Sequence, residues 1–188
     1  MQKSRTSMTS SDTAPKKISD GVYQAQGSYV KLEEEHLTLL VEDAKTNKQG
    51  RARINFHPSP ESQVHEMIIA LDQKTRVNVH RHNKKSESFH VISGCLVVIL
   101  FDKDSNITDE IILASETPNC FYRLNKDIDH LVIPVSDYVV MHETTSGPFR
   151  KGDSKTPEWA ESKEGLDKIE SLRKHHISKF ETVRRTSL

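Results

Sequence analysis

The sequence predicts an all-β domain, a barrel or sandwich of short strands with one helix before it and one after. Two observations carry that reading. Between residues 51 and 145 about nine short runs are either continuously apolar or alternate apolar with polar, and polar turns separate them. Helical periodicity, by contrast, is confined to segments at 29–45 and 161–188. Short strands at this spacing bury their apolar faces by packing sheet against sheet or by closing into a barrel.

Residues 1–20 are rich in Ser, Thr and Lys and offer too little apolar surface to offset their ordering entropy, so 1–28 is expected to be a disordered arm. From Tyr29 to Lys45, Val30, Leu37, Leu40, Val41 and Ala44 recur at helical spacing among charges, which predicts an amphipathic helix packed on the barrel. Ala52, Ile54 and Phe56 then alternate with Arg51, Arg53, Asn55 and His57, a strand with one polar face, and Pro58 and Pro60 end it. Met67–Leu71 and Thr75–Val79 follow, joined by a turn at Asp72-Gln73-Lys74. Further strands are expected at Ser88–Ser93, Gly94–Phe101, Ile107–Ala114, Asn119–Leu124, His130–Val135 and Tyr138–Thr145. The polar insert Asp102–Asn106 reads as a hairpin loop. Beyond Gly147-Pro148 the composition turns to charge. Trp159 and Ala160 are expected to pin the end of the domain at residue 160, and Leu166, Ile169, Leu172, Ile177 and Phe180 lay a narrow apolar stripe along a C-terminal helical tail, 161–188.

With 188 residues, one domain with tails is the expectation. Lys plus Arg and Asp plus Glu number 27 each, so no global field draws in nucleic acid or an anionic membrane, and neither partner is expected. The two cysteines, Cys95 and Cys120, lie in apolar runs without a C-x-x-C pair, and no apolar window approaches a signal peptide core or a membrane span. A cytoplasmic location is the expectation.

The stretch with chemistry is His80-Arg81-His82, followed by Glu87 and Gly94. On an extended strand His80 and His82 leave the same face about 6.6 Å apart, so two imidazoles can meet one ion. The polar run Asn83–Ser86 suits a turn, after which Glu87 can return a carboxylate oxygen. His130, just before the apolar run Leu131-Val132-Ile133-Pro134, is the candidate fourth donor. His90 lies three residues after Glu87, on the opposite face of an unbroken strand, and is left out.

The pattern H-x-H-x4-E-x6-G with a later His resembles the two motifs of the cupin superfamily, in which three His and one Glu hold a divalent metal inside a small β-barrel. Longer segments, Arg51-Ala52-Arg53-Ile54-Asn55-Phe56-His57-Pro58-Ser59-Pro60, Glu87-Ser88-Phe89-His90-Val91 and Met141-His142-Glu143-Thr144-Thr145-Ser146-Gly147-Pro148-Phe149, resemble the WbuC-type cupin metalloproteins over about residues 29–160. The resemblance implies a double-stranded β-helix, a jelly-roll barrel, with a metal held by His80, His82, Glu87 and His130. The second motif departs from the superfamily's Pro-x-Gly: Asn125-Lys126-Asp127 stands there, and Asn and Asp can make the same turn because both tolerate the left-handed region.

Three imidazoles and one carboxylate accept Fe(II), Mn(II), Ni(II), Co(II) or Zn(II). Arg51, Arg53, Asn55, Asn78 and Tyr122 are candidates for holding a substrate. The polar face of the 51–57 strand can point into the barrel, placing guanidiniums against a carboxylate, phosphate or polyol, or out into solvent. His142 and Glu143 are candidates for orienting a ligand imidazole, although only one of the two can face inward. The reading that follows is a metal enzyme acting on a small oxygenated substrate, and the resemblance makes a sugar-derived one from surface polysaccharide synthesis the expectation. A non-catalytic ligand-binding cupin and an iron-dependent dioxygenase remain alternatives. Exposed strand edges and the C-terminal stripe make a homodimer the expected assembly.

Overall fold

The computed structural model describes residues 14–125 and 127–186. In chain order these form β1 (Lys16–Ser19), β2 (Val22–Gln24), α1 (Glu34–Thr46), β3 (Arg51–Asn55), β4 (Val64–Asp72), β5 (Arg81–His82), β6 (Glu87–Ser93), β7 (Cys95–Phe101), β8 (Ile107–Ala114), β9 (Phe121–Leu124), β10 (Asp129–Pro134), β11 (Tyr138–Ser146), β12 (Ser154–Lys155), α2 (Glu158–Glu161) and α3 (Lys163–Thr186). One sheet runs β1-β2-β3-β4-β11-β6-β9, a second runs β10-β7-β8, and a small ribbon pairs β12 with β5. The result is a jelly-roll barrel flanked by helices.

Three apolar clusters show how side-chain alternation builds the layers. Leu71, Phe89, Val91, Leu96, Val98, Leu113, Val132, Val139 and Met141 fill the space between the two large sheets. On the outer face of the first sheet, Ala52, Ile54, Ile68, Ala70 and Val140 pack against Leu40 and Ala44 of α1. On the outer face of the second, Val97, Ile99, Phe101, Leu131 and Ile133 pack with Trp159 and with Ile169, Leu172, Ile177 and Phe180 of α3. That double burial explains why β7 reads as a continuous apolar run rather than an alternating one. It also settles where the C-terminal stripe goes: most of it docks on the chain's own barrel, while Leu166 stays exposed.

Four elements differ from the sequence expectation. Within the expected disordered arm, residues 1–13 lie outside the described residues, but Lys16–Ser19 and Val22–Gln24 extend the first sheet, β2 running parallel to β3. Tyr23 anchors them by donating to Asp43 Oδ2 at 2.6 Å, and Lys17 Nζ adds an ion pair to the same oxygen at 3.0 Å. Backbone pairing to a sheet edge needs no apolar periodicity, which is why composition hid it. The N-terminal helix starts at Glu34, five residues later than Tyr29, and Glu33 and His36 form a reciprocal capping box at its start. Thr75–Val79 is irregular instead of a strand, because a helix side chain takes the place of a neighbouring strand, as described below. Finally, β12 was not anticipated, and it pairs with the strand carrying His82.

Gly94 sits at φ +83, and a Cβ there would lie 2.3 Å from Tyr138 O, so the reversal between β6 and β7 requires glycine. Asp127 takes the left-handed conformation, φ 65, in the turn before His130 and donates its N–H to His82 O at 3.1 Å. Aspartate thereby makes the left-handed turn expected at this position. No helix among the described residues is long and apolar enough to cross a membrane.

Candidate metal centre

Four donors converge at one end of the inner core: one ligand atom each from His80, His82, Glu87 and His130 lies within 4.8 Å of all the others. The backbone brings them together in two ways. His80 and His130 form an isolated antiparallel bridge, each donating its N–H to the other's carbonyl at 3.1 and 2.9 Å, so their rings lie on the same side with centroids 4.2 Å apart. His82 is held by the pairing of β5 with β12, and Glu87 opens β6 between Leu124 on β9 and Thr145 on β11.

Around these donors the hydrogen bonds fix ring orientation. Asn78 O lies 2.9 Å from His80 Nδ1 and Ile128 O lies 3.0 Å from His130 Nδ1, so both Nδ1 atoms carry protons and donate them, leaving each Nε2 as the donor atom for a metal. Glu87 Oε2 is 3.1 Å from His82 Nε2, Glu87 Oε1 is 3.0 Å from His130 Nε2, and Tyr122 donates its hydroxyl to Oε1 at 3.1 Å. Ligands about 2.1 Å from a common ion and at right angles to one another lie about 3.0 Å apart. The Glu87–His82 and Glu87–His130 separations match that spacing, each through a different carboxylate oxygen. His130 is fully buried, and its Nε2 has no well-aligned hydrogen bond, an orphaned atom that a metal would satisfy.

The electrostatics differ between the donors: burial opposes the charge on His130, but its contact with Glu87 outweighs that and raises it, so a metal ion there displaces a proton. Burial, aided by the neighbouring His130, pulls His80 down to about 4, so it is neutral and able to ligate at physiological pH. Burial opposes the charge on Glu87, but the His130 and His82 contacts outweigh it and hold the carboxyl well below its ordinary range. Burial and the Glu87 charge push the Tyr122 hydroxyl up, so it remains a proton donor to that carboxylate.

The cluster faces a cavity of about 530 Å³ whose walls include Arg51, Arg53, Met67, Phe89, Val132, Met141 and Glu143. Of the two orientations open for the polar face of β3, the structure has Arg51 and Arg53 lining the cavity while Ala52 and Ile54 turn to α1. Asn55 is buried, and its Oδ1 has no partner among the described residues. Tyr122 acts on Glu87 rather than on the cavity. Asn78 contributes its backbone carbonyl to His80 and lines an adjacent groove rather than the cavity. Neighbouring residues on β11 point to opposite faces, so Glu143 lines the cavity while His142 pairs outside it with Glu66 at 3.7 Å. His90, opposite His142 in the ladder, is exposed. Glu143 is half-buried at the cavity wall. Burial and the Glu87 charge push it up to about 8 against the opposing pull of Arg53.

Arg173 belongs to the site at one remove and was not anticipated. From α3 it donates Nη1 to Thr75 O at 2.9 Å and Nη2 to Val77 O at 3.3 Å, fixing the irregular segment whose next residue, Asn78, orients His80. The side chain is 2 % exposed, so the helix commits a buried cation to this task.

A family model described as a domain of unknown function, DUF6016, matches residues 32–113. No curated protein sequence matches the chain. Among solved structures the chain is similar to the capsular polysaccharide assembling protein CapF from Staphylococcus aureus, with 17% identity and a TM-score of 0.51 over 60% of this chain and 31% of that one. A structure of CapF with the inhibitor 3-isopropenyl-tropolone gives 16% identity and a TM-score of 0.51, covering 60% of this chain and 33% of that one. A recombinant oxalate oxidase in complex with glycolate shares 13% identity at a TM-score of 0.47, over 72% of this chain and 75% of that one. The chain thus spans about a third of the length of the CapF structures it matches. The likeness to CapF supports the fold, a jelly-roll barrel, and the four-donor cluster within it is an arrangement of three His and one Glu able to hold a metal ion.

Proposed function

We propose that this chain is a metal-dependent cupin enzyme of the WbuC type, acting on a small oxygenated, sugar-derived substrate. The observation that carries the proposal is that three of the four donors, His80, His82 and Glu87, line one cavity with two guanidiniums and a proton-holding carboxyl, while His130 closes the cluster from the buried side. A metal that merely braced the barrel would need none of those cavity groups. A bound divalent ion supplies Lewis acidity toward substrate oxygens. Arg51 and Arg53 hold an anionic or hydroxylated group through several donors and set its orientation. Tyr122 keeps Glu87 in place, and Glu143 holds a proton at neutral pH where it can pass to or from the substrate. The likeness to a capsular polysaccharide assembling protein makes carbohydrate-derived substrates the first to try.

The test is NMR of protein loaded separately with Fe(II), Mn(II), Ni(II), Co(II) or Zn(II), incubated with a panel of sugar acids and sugar phosphates. At least one loaded form is expected to convert a panel member, with conversion lost on chelation and reduced about 100-fold or more in Glu143→Gln. Absence of conversion by every loaded form would contradict the enzymatic reading.

A further inference from the structure

Beside the metal cavity runs a second depression, about 640 Å³, between the end of α1 and the segment after β4. Its walls carry Lys45, Lys48, Arg51, Lys74 and Arg76 against a single acid, Asp72. In a chain whose 27 cations equal its 27 anions, a five-to-one wall is a segregation of charge rather than a reflection of composition. Most of these cations also lack acidic partners. Among the described residues only Arg76 has one within ion-pair distance, Glu170 at 3.7 Å. Asp72 is committed to a backbone N–H, accepting from Lys74 at 2.9 Å. Arg51 uses its Nε on Gln49 at 3.1 Å, which leaves both Nη groups for a ligand. The groove and the metal cavity adjoin, sharing Gln49, Arg51, Val77, His80 and Ser154.

We propose that this groove binds the phosphate-bearing arm of the substrate, a phosphate or diphosphate ester whose sugar-derived part reaches past His80 and Arg51 into the metal cavity. The substrate assignment rests on the enzymatic reading above, whereas anion binding by the groove does not. A single carboxylate would engage one or two of these side chains. Several phosphoryl oxygens along the groove can engage lysines as point charges and Arg51 as a fork.

Isothermal titration with inorganic pyrophosphate tests the groove, using the metal-loaded protein and His82→Ala in parallel because pyrophosphate also chelates metals. The expected result is binding to both proteins, weakened at least 10-fold in Lys48→Ala/Lys74→Ala and weakened by added salt, as screening of exposed charges requires. Metal content of the double variant should equal that of the parent. A control variant at lysines that do not line the groove, Lys103→Ala/Lys163→Ala, should bind like the parent. Binding confined to the metal-loaded protein would overturn the proposal, as would no binding to either, indifference to the groove substitutions, or equal weakening in the control. Groove binding by a parent that itself cannot be loaded with metal would leave anion binding by the groove standing while the enzymatic reading fell.

Discussion

Arg173→Ala is expected to destabilise the fold by about 3 kcal/mol or more and to weaken metal binding as well. The substitution leaves the carbonyls of Thr75 and Val77 without their side-chain donors in a buried setting and opens a cavity beneath α3. For a chain of this size that corresponds to a fall in Tm on the order of 6–12 °C. Burial lowers Arg173 to about 10, so it is charged at neutral pH and its hydrogen bonds are charge-assisted. Arg173→Lys should recover only part of the loss, because one ammonium cannot span two carbonyls as a planar fork does. The metal effect follows from the path Arg173, Val77, Asn78, His80: freeing the segment frees the carbonyl that orients the His80 ring. Thermal scans and chelator competition read the two effects separately. An unchanged Tm would contradict the role assigned to Arg173.

Glu143→Gln is expected to stabilise the chelator-treated protein, and to do so only at higher pH. The folded-state pKa of Glu143 is raised to about 8, whereas an unfolded glutamate titrates near 4.3. Below about 4.3 both states are protonated and Glu143 carries no penalty. As pH rises from there to about 8 the unfolded chain ionises and the folded one resists, so stability is lost progressively, levelling off above about 8. Glutamine never ionises and escapes the loss. Allowing for water in the cavity, the gain should reach a few kcal/mol, on the order of 4–10 °C in Tm at pH about 8.5. Loading the metal should shrink the difference, since a nearby cation stabilises the carboxylate. A Tm difference independent of pH would show that Glu143 ionises as an ordinary glutamate.

Much of this arrangement was legible in the chain. The H-x-H-x4-E spacing is readable because side chains alternate on a strand and a turn of fixed length returns Glu87; His130 followed from its place before an apolar strand. The inward face of β3 was not decidable locally. Arg51 and Arg53 line the cavity because α1 claims Ala52 and Ile54, a tertiary choice that alternation alone cannot make. The β1–β2 extension depends on backbone pairing at an edge, which leaves no apolar signature. Arg173 did leave a trace. It stands with His176 on the helix face that carries Ile169, Ile177 and Phe180, and polar residues at core-facing positions of a stripe signal a buried polar partner.

The most direct test of the metal centre is elemental mass spectrometry of protein purified without an affinity tag or added metal, beside His82→Ala and His130→Ala. The arrangement of His80, His82, Glu87 and His130 predicts close to one equivalent of a divalent transition metal per parent chain and its loss from both variants. A folded parent that carries no metal and cannot be loaded, or variants that retain the parent's content, would contradict it.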